Sequence, residues 1–504
     1  MENICEMQKK IDDLEAQLSL KDQRIRSLEE LVQFFKNQKF APTSEKVSAL
    51  QLGLFNEAEA IEAETDNNAD EATTKQVVVK AHQRTKKPRI SIPDSLPRET
   101  IDYDLADDEK FCPHDNTPLT RMGSEDHEQL DIIPAQVKVI RHRRAKYYCS
   151  CCKQYHITAS KPKQAIEKGI ASAGLLAYIA TQKYCDALPL YRQSDIFKRS
   201  GIQLDRTNLA NWMIRCGTLI QPLINLMQEH VLKQPIVHMD ETPLQVLSEP
   251  GKTAQSQSYM WLMASFSAQP IVLFHYAPTR RRDVVMQLLN DEVNALMVDG
   301  YEGYQHACNE YQITRLGCMA HARRKFVDAQ KLQPKGKTGK ADQAIAFIQT
   351  LYRIESAIKS LSPAEKQQKR QEEAIPILDK MARWLQKSLP NVPPNTKLGE
   401  ALTYLNNQWP RLIQYVADGH YPIDNNLAEN AIRPFTIGRK NWLFSKSQAG
   451  AKASANLYSL TETAKAHKLN PYAYLRAVFT QLPNANTVED IEKCLPWNIT
   501  LNEN

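Results

Sequence analysis

Apolar side chains near the start of the chain recur every seven positions. Ile4, Ile11, Leu18, Ile25 and Val32 make one row, and Met7, Leu14, Leu28 and Phe35 make a second, broken by Lys21. A 3.5-residue repeat keeps one narrow seam turned toward a partner helix, so the pattern predicts a coiled coil over 1–40 and, through it, a homo-oligomer. From 41 to 100 the periodicity is lost. Glu57, Glu59, Glu62, Glu64, Asp66, Asp70 and Glu71 follow one another without a base, then come Lys80, Arg84, Lys86, Lys87 and Arg89. That composition buries too little apolar surface to offset ordering entropy, and predicts an acidic then basic linker.

Strand-like alternation returns in 101–160, including Gln136-Val-Lys-Val-Ile140, and it is bracketed by cysteines. Cys149 and Cys152 form a C-x2-C half-site; Cys112 is followed by Asp115, with His114 adjacent, where a second Cys would complete the other half. Two knuckles separated by a hairpin are a standard way to supply four ligands to a structural zinc, so a zinc-finger-like module is expected, closed to chemistry. A ribbon that has lost its metal is the competing reading. Within it, Lys138, Arg141, Arg143, Arg144 and Lys146 make a basic strand suited to phosphates. Residues 161–232 read as helices, among them LPLYRQSDIFKRSG and DRTNLANWMIRC joined at Gly201-Ile-Gln-Leu. Asp205 is placed to cap the second of these, which carries Arg206, Asn208, Asn211 and Arg215. The layout predicts a helix-turn-helix-like DNA-binding region.

The stretch 233–330 changes rhythm. Ile236-Val-His-Met-Asp240 is a short apolar strand ending in an acid; Tyr259–Ala264 and Pro270–Tyr276 are two further strands; Asp283–Leu289 has helical spacing; Ala295-Leu-Met-Val-Asp299 is a buried strand ending in a second acid. Three strands, a helix and a strand is the order of an RNase H-like core, in which the first and fourth strands are neighbours and would bring Asp240 and Asp299 together. A helix predicted from about Asp424, stopped by Pro434, sets Asn425, Glu429 and Arg433 on one face at i, i+4 and i+8. Glu429 would complete a metal cage there, and Arg433 would grip a phosphate as a fork. The core is thus read as 233–330 with 416–480, interrupted by a Lys-, Gln- and Glu-rich helical insertion at 331–415 and followed by a tail at 481–504. Cys318-Met-Ala-His321 has metal-like spacing but reads as packing groups beside a strand end.

Composition adds boundaries rather than detail. The chain has 504 residues, 42% hydrophobic and 24% charged, which suits several folded units rather than one core. Its 64 bases against 58 acids neither demand nor exclude a nucleic-acid partner, so local basic patches must decide. No run of 18 apolar residues and no hydrophobic leader occurs, so no membrane span is expected, and the ten cysteines are read as cytoplasmic thiols or metal ligands.

HMDETPLQVL, MVDGYEGY, CMAHARRKF, YPIDNNLAENAIRPFTIGRKNWLF and SLTETAKAHKLNPYAYL, in that order, resemble the large transposase of the insertion sequence 66 family. The resemblance extends to the coiled coil, the cysteine module and LPLYRQSDIF, hence to nearly the whole chain. It implies a DDE-type transposase of α/β multidomain build, with Asp240, Asp299 and Glu429 as the triad that binds Mg²⁺ or Mn²⁺. Cleavage at the element's ends and strand transfer into target DNA are the implied activities, with small accessory proteins of the same element as partners. Asp115 departs from the family pattern, which bears on the zinc and not on catalysis. Glu462 competes as an acid and is read as a helix-surface group or one that supports a ligand from behind. Arg439 and Lys440 are placed to contact DNA backbone, and Trp442 to stack on an unpaired base or pack in the core. A repressor that binds the element without cutting it, and a structure-specific nuclease without strand transfer, are the rival functions.

Overall fold

The computed structural model describes residues 136–148, 156–333 and 338–501, with Lys10, Leu14, Gln17, Leu18, Lys21, Ile25, Thr100, Thr117 and Pro118 before them. Leu14, Leu18 and Ile25, three seam positions, are helical and more than half exposed along the single chain. The other seam residues and the linker up to 99 lie outside the described residues. The chain divides into two units, Met1–Ala69 with Arg144–Asn504, and Asp70–Arg143.

In the smaller unit, residues 136–143 are exposed and carry no strand, so the alternation of Gln136–Ile140 is not realised as one. Val139 is 92% exposed. Alternation becomes a strand only when a ladder partner satisfies its backbone, and these residues have none among those described. The strand instead begins in the larger unit, where β1 (Lys146–Tyr148) pairs antiparallel with β2 (His156–Thr158).

Four helices follow: α1 (Ala173–Tyr184), α2 (Leu190–Arg199), α3 (Arg206–Leu219) and α4 (Gln221–Leu232). The α2–α3 turn passes through Gly201 at φ +79°, a conformation that costs glycine nothing. Asp205 stands at the N-cap of α3 in extended backbone, but its side chain makes no cap bond. Helix α3 buries Leu209, Trp212, Met213 and Cys216 and turns Arg206, Asn208, Asn211 and Arg215 to solvent. A Cβ at Gly217 would lie 2.6 Å from the Ala453 backbone, so glycine there lets α3 approach a later helix closely.

The central sheet has the order β5-β4-β3-β6-β7. It comprises β3 (Ile236–Ser248), β4 (Gln257–Ser265), β5 (Ile271–Ala277), β6 (Ala295–Val298) and β7 (Thr314–Gly317), with α5 (Arg282–Leu288) and α6 (Gly303–Glu310) as crossovers. β3, β4 and β5 are antiparallel neighbours, whereas β6 and β7 run parallel to β3. β3 does not end at Asp240. Its pairing with β4 continues to Gln245 opposite Gln257, so the acid sits within a long strand. Along its other edge β3 is paired by β6 only through His238 and by β8 (Ser445–Ser447) only from Val246. Pro243 falls in the gap between them, where its missing N–H breaks no ladder.

Helix α13 (Gln448–Ala466) covers the other end of the sheet. Ser459 Oγ and Thr463 Oγ1 accept from the Phe274 and Val272 amides at 2.7 and 3.0 Å, closing the free edge of β5 with side chains. Between β7 and the final acidic helix stands a helical unit of α7 (Met319–Gln330), α8 (Lys340–Ala357), α9 (Pro363–Lys369), α10 (Ile375–Ser388) and α11 (Lys397–Leu412). Its apolar cluster runs from Met319 to Ile423, wider at both ends than 331–415.

Helix α12 (Asn426–Trp442) passes through Pro434 rather than stopping there. An interior proline costs about 3 kcal/mol. Packing beyond it outweighs that: Phe435 is fully buried, with ring centroids 5.3 Å from Tyr458 and 6.1 Å from Phe274. The segment 481–504 is folded through Leu501, not a loose tail. α14 (Pro471–Gln481) and the short α15 (Val488–Glu492) lead to Cys494 and Leu495, each 1% exposed, and Tyr474 Oη donates to the Cys494 carbonyl at 3.0 Å.

Candidate active site

β3 and β6 run side by side with Ile236 opposite Ala295 and His238 opposite Met297. Carried two residues further, that register sets Asp240 against Asp299, where β6 has ended and its edge of β3 stands open. Asn425, 1% exposed, fills this gap from the start of α12. Its Nδ2 donates to the Met239 carbonyl at 2.9 Å, its Oδ1 lies 2.9 Å from His238 Nδ1, and its backbone amide donates to Cys318 Sγ at 3.2 Å. Glu429 begins the next turn, its amide donating to the Asn425 carbonyl at 3.1 Å, and is 7% exposed. A side chain pinned to β3 thereby delivers a distant carboxylate to the strand that bears Asp240.

The consequence is electrostatic. Withdrawal from water pushes the Asp240 carboxyl well above its ordinary range, and the charges of Glu241, Glu429 and Asp299 push it further the same way. Asp240 thus feels the charge of the two other acids expected from the sequence and of a fourth, Glu241, while the ligand atoms of Glu429 group within 4.8 Å with those of Cys318 and His321 and not with the two aspartates. Two of the four, Glu241 and Glu429, are already paired with Arg280 and Arg324, which leaves Asp240 as the carboxylate whose repulsion a divalent cation would relieve most.

Neighbouring groups fix each acid. Asp240 Oδ1 accepts from the Glu241 amide, and Asp299 Oδ1 from the Tyr301 amide, both at 2.9 Å. Buried Arg315 grips the loop after β6, donating to the carbonyls of Asp299 at 3.0 Å and Tyr301 at 2.8 Å. Glu241 is held by Arg280 Nε at 2.6 Å and by the Tyr304 hydroxyl; burial raises its carboxyl, and the Tyr304 bond opposes that rise. Glu429 meets the guanidinium of Arg324 through Oε2, and its Oε1 lies 3.4 Å from His321 Nδ1. Burial, reinforced by Arg324, depresses the His321 imidazole to about 4, so it is neutral at pH 7.

Glu241, Arg280, Tyr304, Arg315 and Arg324 are parts of this site that the sequence reading did not single out, and His321, read there as a packing group, stands 3.4 Å from Glu429. One signal existed: Cys318, His321 and Arg324 are spaced i, i+3, i+6 in CMAHARRKF and share a helix face. Glu462 is not the helix-surface group expected: its side chain is 10% exposed and paired with Lys465 at 2.8 Å, and it is not among the charges that raise Asp240.

Asn425→Ala would leave the Met239 carbonyl and His238 without their partner in the interior, at roughly 1–3 kcal/mol per orphaned group. We expect a lower melting temperature together with loss of any activity that needs Glu429 beside Asp240, measured by thermal unfolding and DNA cleavage on one preparation. An unchanged melting temperature would show that the anchor is dispensable.

The basic residues are spread over several surfaces. Arg141 and Arg143 are exposed in the smaller unit; in the larger, Arg144 donates to the Ala159 carbonyl, Arg206 is exposed at the head of α3, and Lys440 is exposed on α12. Arg433 donates to Asn430 Oδ1 at 2.8 Å, and Arg439 clamps α12 to β3 by donating to Thr242 Oγ1 at 2.9 Å. Trp442 packs edge-on against Phe435, centroids 5.4 Å apart. Cys112, Asp115, Cys149 and Cys152 lie outside the described residues.

Comparison with known proteins gives the family. The profile described as Transposase IS66 family matches residues 168–453, and the IS66 C-terminal element matches 459–497. A zinc-finger binding domain of transposase IS66 matches 109–153, and a region described as Transposase C of IS166 homeodomain matches 27–101. The chain belongs to the IS66 transposase family. Three relatives come from Sinorhizobium fredii (strain NBRC 101917 / NGR234). "Uncharacterized protein y4qI" is 32% identical over 75% of this chain and 71% of its own length. "Uncharacterized protein y4jD" is 30% identical over 81% of each, and "Uncharacterized protein y4hP" is 28% identical over 93% of this chain and 87% of its own length. Among the described residues no helix is long and apolar enough to cross a membrane.

Proposed function

We propose that this protein is a DDE-type transposase that cleaves DNA at the ends of its insertion sequence and joins the freed ends to target DNA in the cytoplasm. The observation that carries this reading is the charge that Asp240 feels from both Asp299 and Glu429, although 130 residues of sequence separate Glu429 from the nearer aspartate. The strand order and mixed directions described above support an RNase H-like core with a helical insertion before the last acid.

Asp240, Asp299 and Glu429 would hold Mg²⁺ or Mn²⁺, with Asp240 central because it feels the charge of both other acids. The carboxylate oxygens suit hard cations, and the excess of negative charge around Asp240 fits them. Such ions, when bound, activate the attacking oxygen and neutralise the leaving one. The chain's own groups do the rest. The carboxylates would fix the cations that orient the scissile phosphate, while Arg324 of α7, released from Glu429, and Arg433 of α12 would neutralise phosphate oxygens. Water attack forms one P–O bond and breaks another, and the departing 3′-oxygen takes up a proton. The freed 3′-hydroxyl then attacks a target phosphodiester in the same site, again exchanging one P–O bond for another. No bond to the protein forms.

The solvent face of α3, the basic run Arg141–Arg144 and the zinc-finger module would bind the ends, and the heptad seam would pair protomers. Accessory proteins of the element would act with this assembly. The test is incubation of the full chain with Mg²⁺ and DNA bearing the element's terminal sequences. Nicked and joined products are expected; binding without either would make the protein a repressor, and nicks without joints a nuclease.

A further inference from the structure

Near the triad lies a group of side chains whose chemistry the proposed reaction does not use. Cys318 caps the start of α7 and His321 follows one turn later, so both face the first turns of α12. Ligand atoms of Cys318, His321 and Glu429 all lie within 4.8 Å of one another. Around a tetrahedral zinc, with bonds of about 2.0–2.3 Å, ligand atoms sit roughly 3.3–3.8 Å apart, so the three need to close by only about 1 Å. The polar environment is already arranged for such a ligand set. Cys318 Sγ accepts a hydrogen bond from the Asn425 amide, which favours the thiolate once a cation is near. His321 Nδ1 is sealed from water 3.4 Å from Glu429 Oε1, and because Arg324 Nη1 faces Nε2 the imidazole proton sits on Nδ1, where a cation would replace it. Arg324 supplies the positive charge that now balances Glu429, and its side chain is 22% exposed, with solvent to swing into.

We propose that Cys318, His321 and Glu429 form a second metal site, selective for a thiophilic divalent cation of the zinc class, whose filling withdraws Glu429 from the two aspartates and holds the enzyme inactive. Thiolate and imidazole are poor ligands for Mg²⁺ and good ones for zinc, so one carboxylate is shared between two sites of opposite preference. The site stands on the side-chain geometry alone; the inhibition rests on the role assigned to Glu429 above.

Cobalt serves as the spectroscopic probe. The full chain, Cys318→Ser and His321→Gln, each checked for native circular dichroism, are titrated with Co²⁺ in a large excess of Mg²⁺, which holds the carboxylate site alike in all three, and bound cobalt per chain is counted after removal of the excess. Each variant is expected to hold one Co²⁺ fewer than the parent, and Cys318→Ser to lose part of the thiolate-to-cobalt charge-transfer absorption; the zinc-finger module contributes equally to all three and cancels. In Mg²⁺-dependent nicking, the Zn²⁺ concentration that halves the rate, relative to each protein's own zinc-free rate, is expected to rise about tenfold or more in Cys318→Ser. An identical Co²⁺ count in both folded variants, or an unchanged Zn²⁺ midpoint, would overturn the proposal. A parent chain that does not nick DNA at all would remove the triad reading instead, while the cobalt count still decides the site.

Discussion

Asp240→Asn, Asp299→Asn and Glu429→Gln are each expected to lower cleavage and joining at least about a thousandfold while leaving the gel shift on terminal DNA intact. Removing a single neutral donor from an active site already costs a hundred- to a thousandfold, and each of these changes removes an anionic ligand of the cations that would neutralise the reacting phosphate. End-binding survives because the exposed basic surfaces of α3 and residues 141–144 are outside the acidic cluster. A control comes from Glu462→Gln, which should keep activity, since Glu462 is paired with Lys465 away from the triad. Loss of folding is separable too. Asp240 is destabilised by burial and by three neighbouring carboxylates, so Asp240→Asn should melt no lower than the parent in the absence of divalent ions. Full activity in any triad variant would remove that residue from the site.

Arg370→Ala is expected to be the most damaging change to stability. Arg370, 3% exposed, lies where α9 widens into a π-helical turn before α10. Its Nε and Nη2 bind both oxygens of Glu355 at 2.9 and 2.6 Å, and its Nη1 donates to the carbonyls of Tyr415 and Asp418, each at 2.8 Å. Truncation leaves a carboxylate and two carbonyls without their donor inside the helical insertion, a loss of about 3–5 kcal/mol. For a unit of this size the melting transition should fall on the order of 10 °C. Lysine should not rescue it, because one ammonium cannot replace the planar fork. The effect reaches the active site through the chain itself: Ile423 closes the insertion's apolar cluster, and Asn425 follows two residues later. Thermal unfolding of both variants measures this, and a drop of less than a few degrees would show that the insertion is held by its apolar contacts alone.

The parts of this architecture legible in the sequence are those set by local periodicity. Buried strands declare themselves as short apolar runs, so β4, β5 and β6 were readable and with them Asp299. The i, i+4 spacing of Asn425 and Glu429 gave the acidic helix. Features decided by distant packing were not readable. Pro434 is a helix breaker by any local rule, and only the aromatic contacts of Phe435 with Tyr458 and Phe274 carry α12 past it. β7, Thr314–Gly317, is too short and too polar at its start to stand out. β3 reads as ending at Asp240 because a proline follows, while the gap between β6 and β8 makes that proline harmless. The partnership of Arg324 and His321 with Glu429 joins residues more than 100 positions apart, beyond the reach of any periodicity.

The central claim is that three carboxylates from β3, the end of β6 and α12 share divalent cations. Crystals of the full chain with terminal DNA, grown in Mn²⁺ and measured at the manganese edge, test it most directly. The account predicts anomalous density bounded by Asp240, Asp299 and Glu429, with Arg324 no longer on Glu429. Manganese bound without Glu429, its carboxylate still held by Arg324 while DNA occupies the cleft, would contradict it.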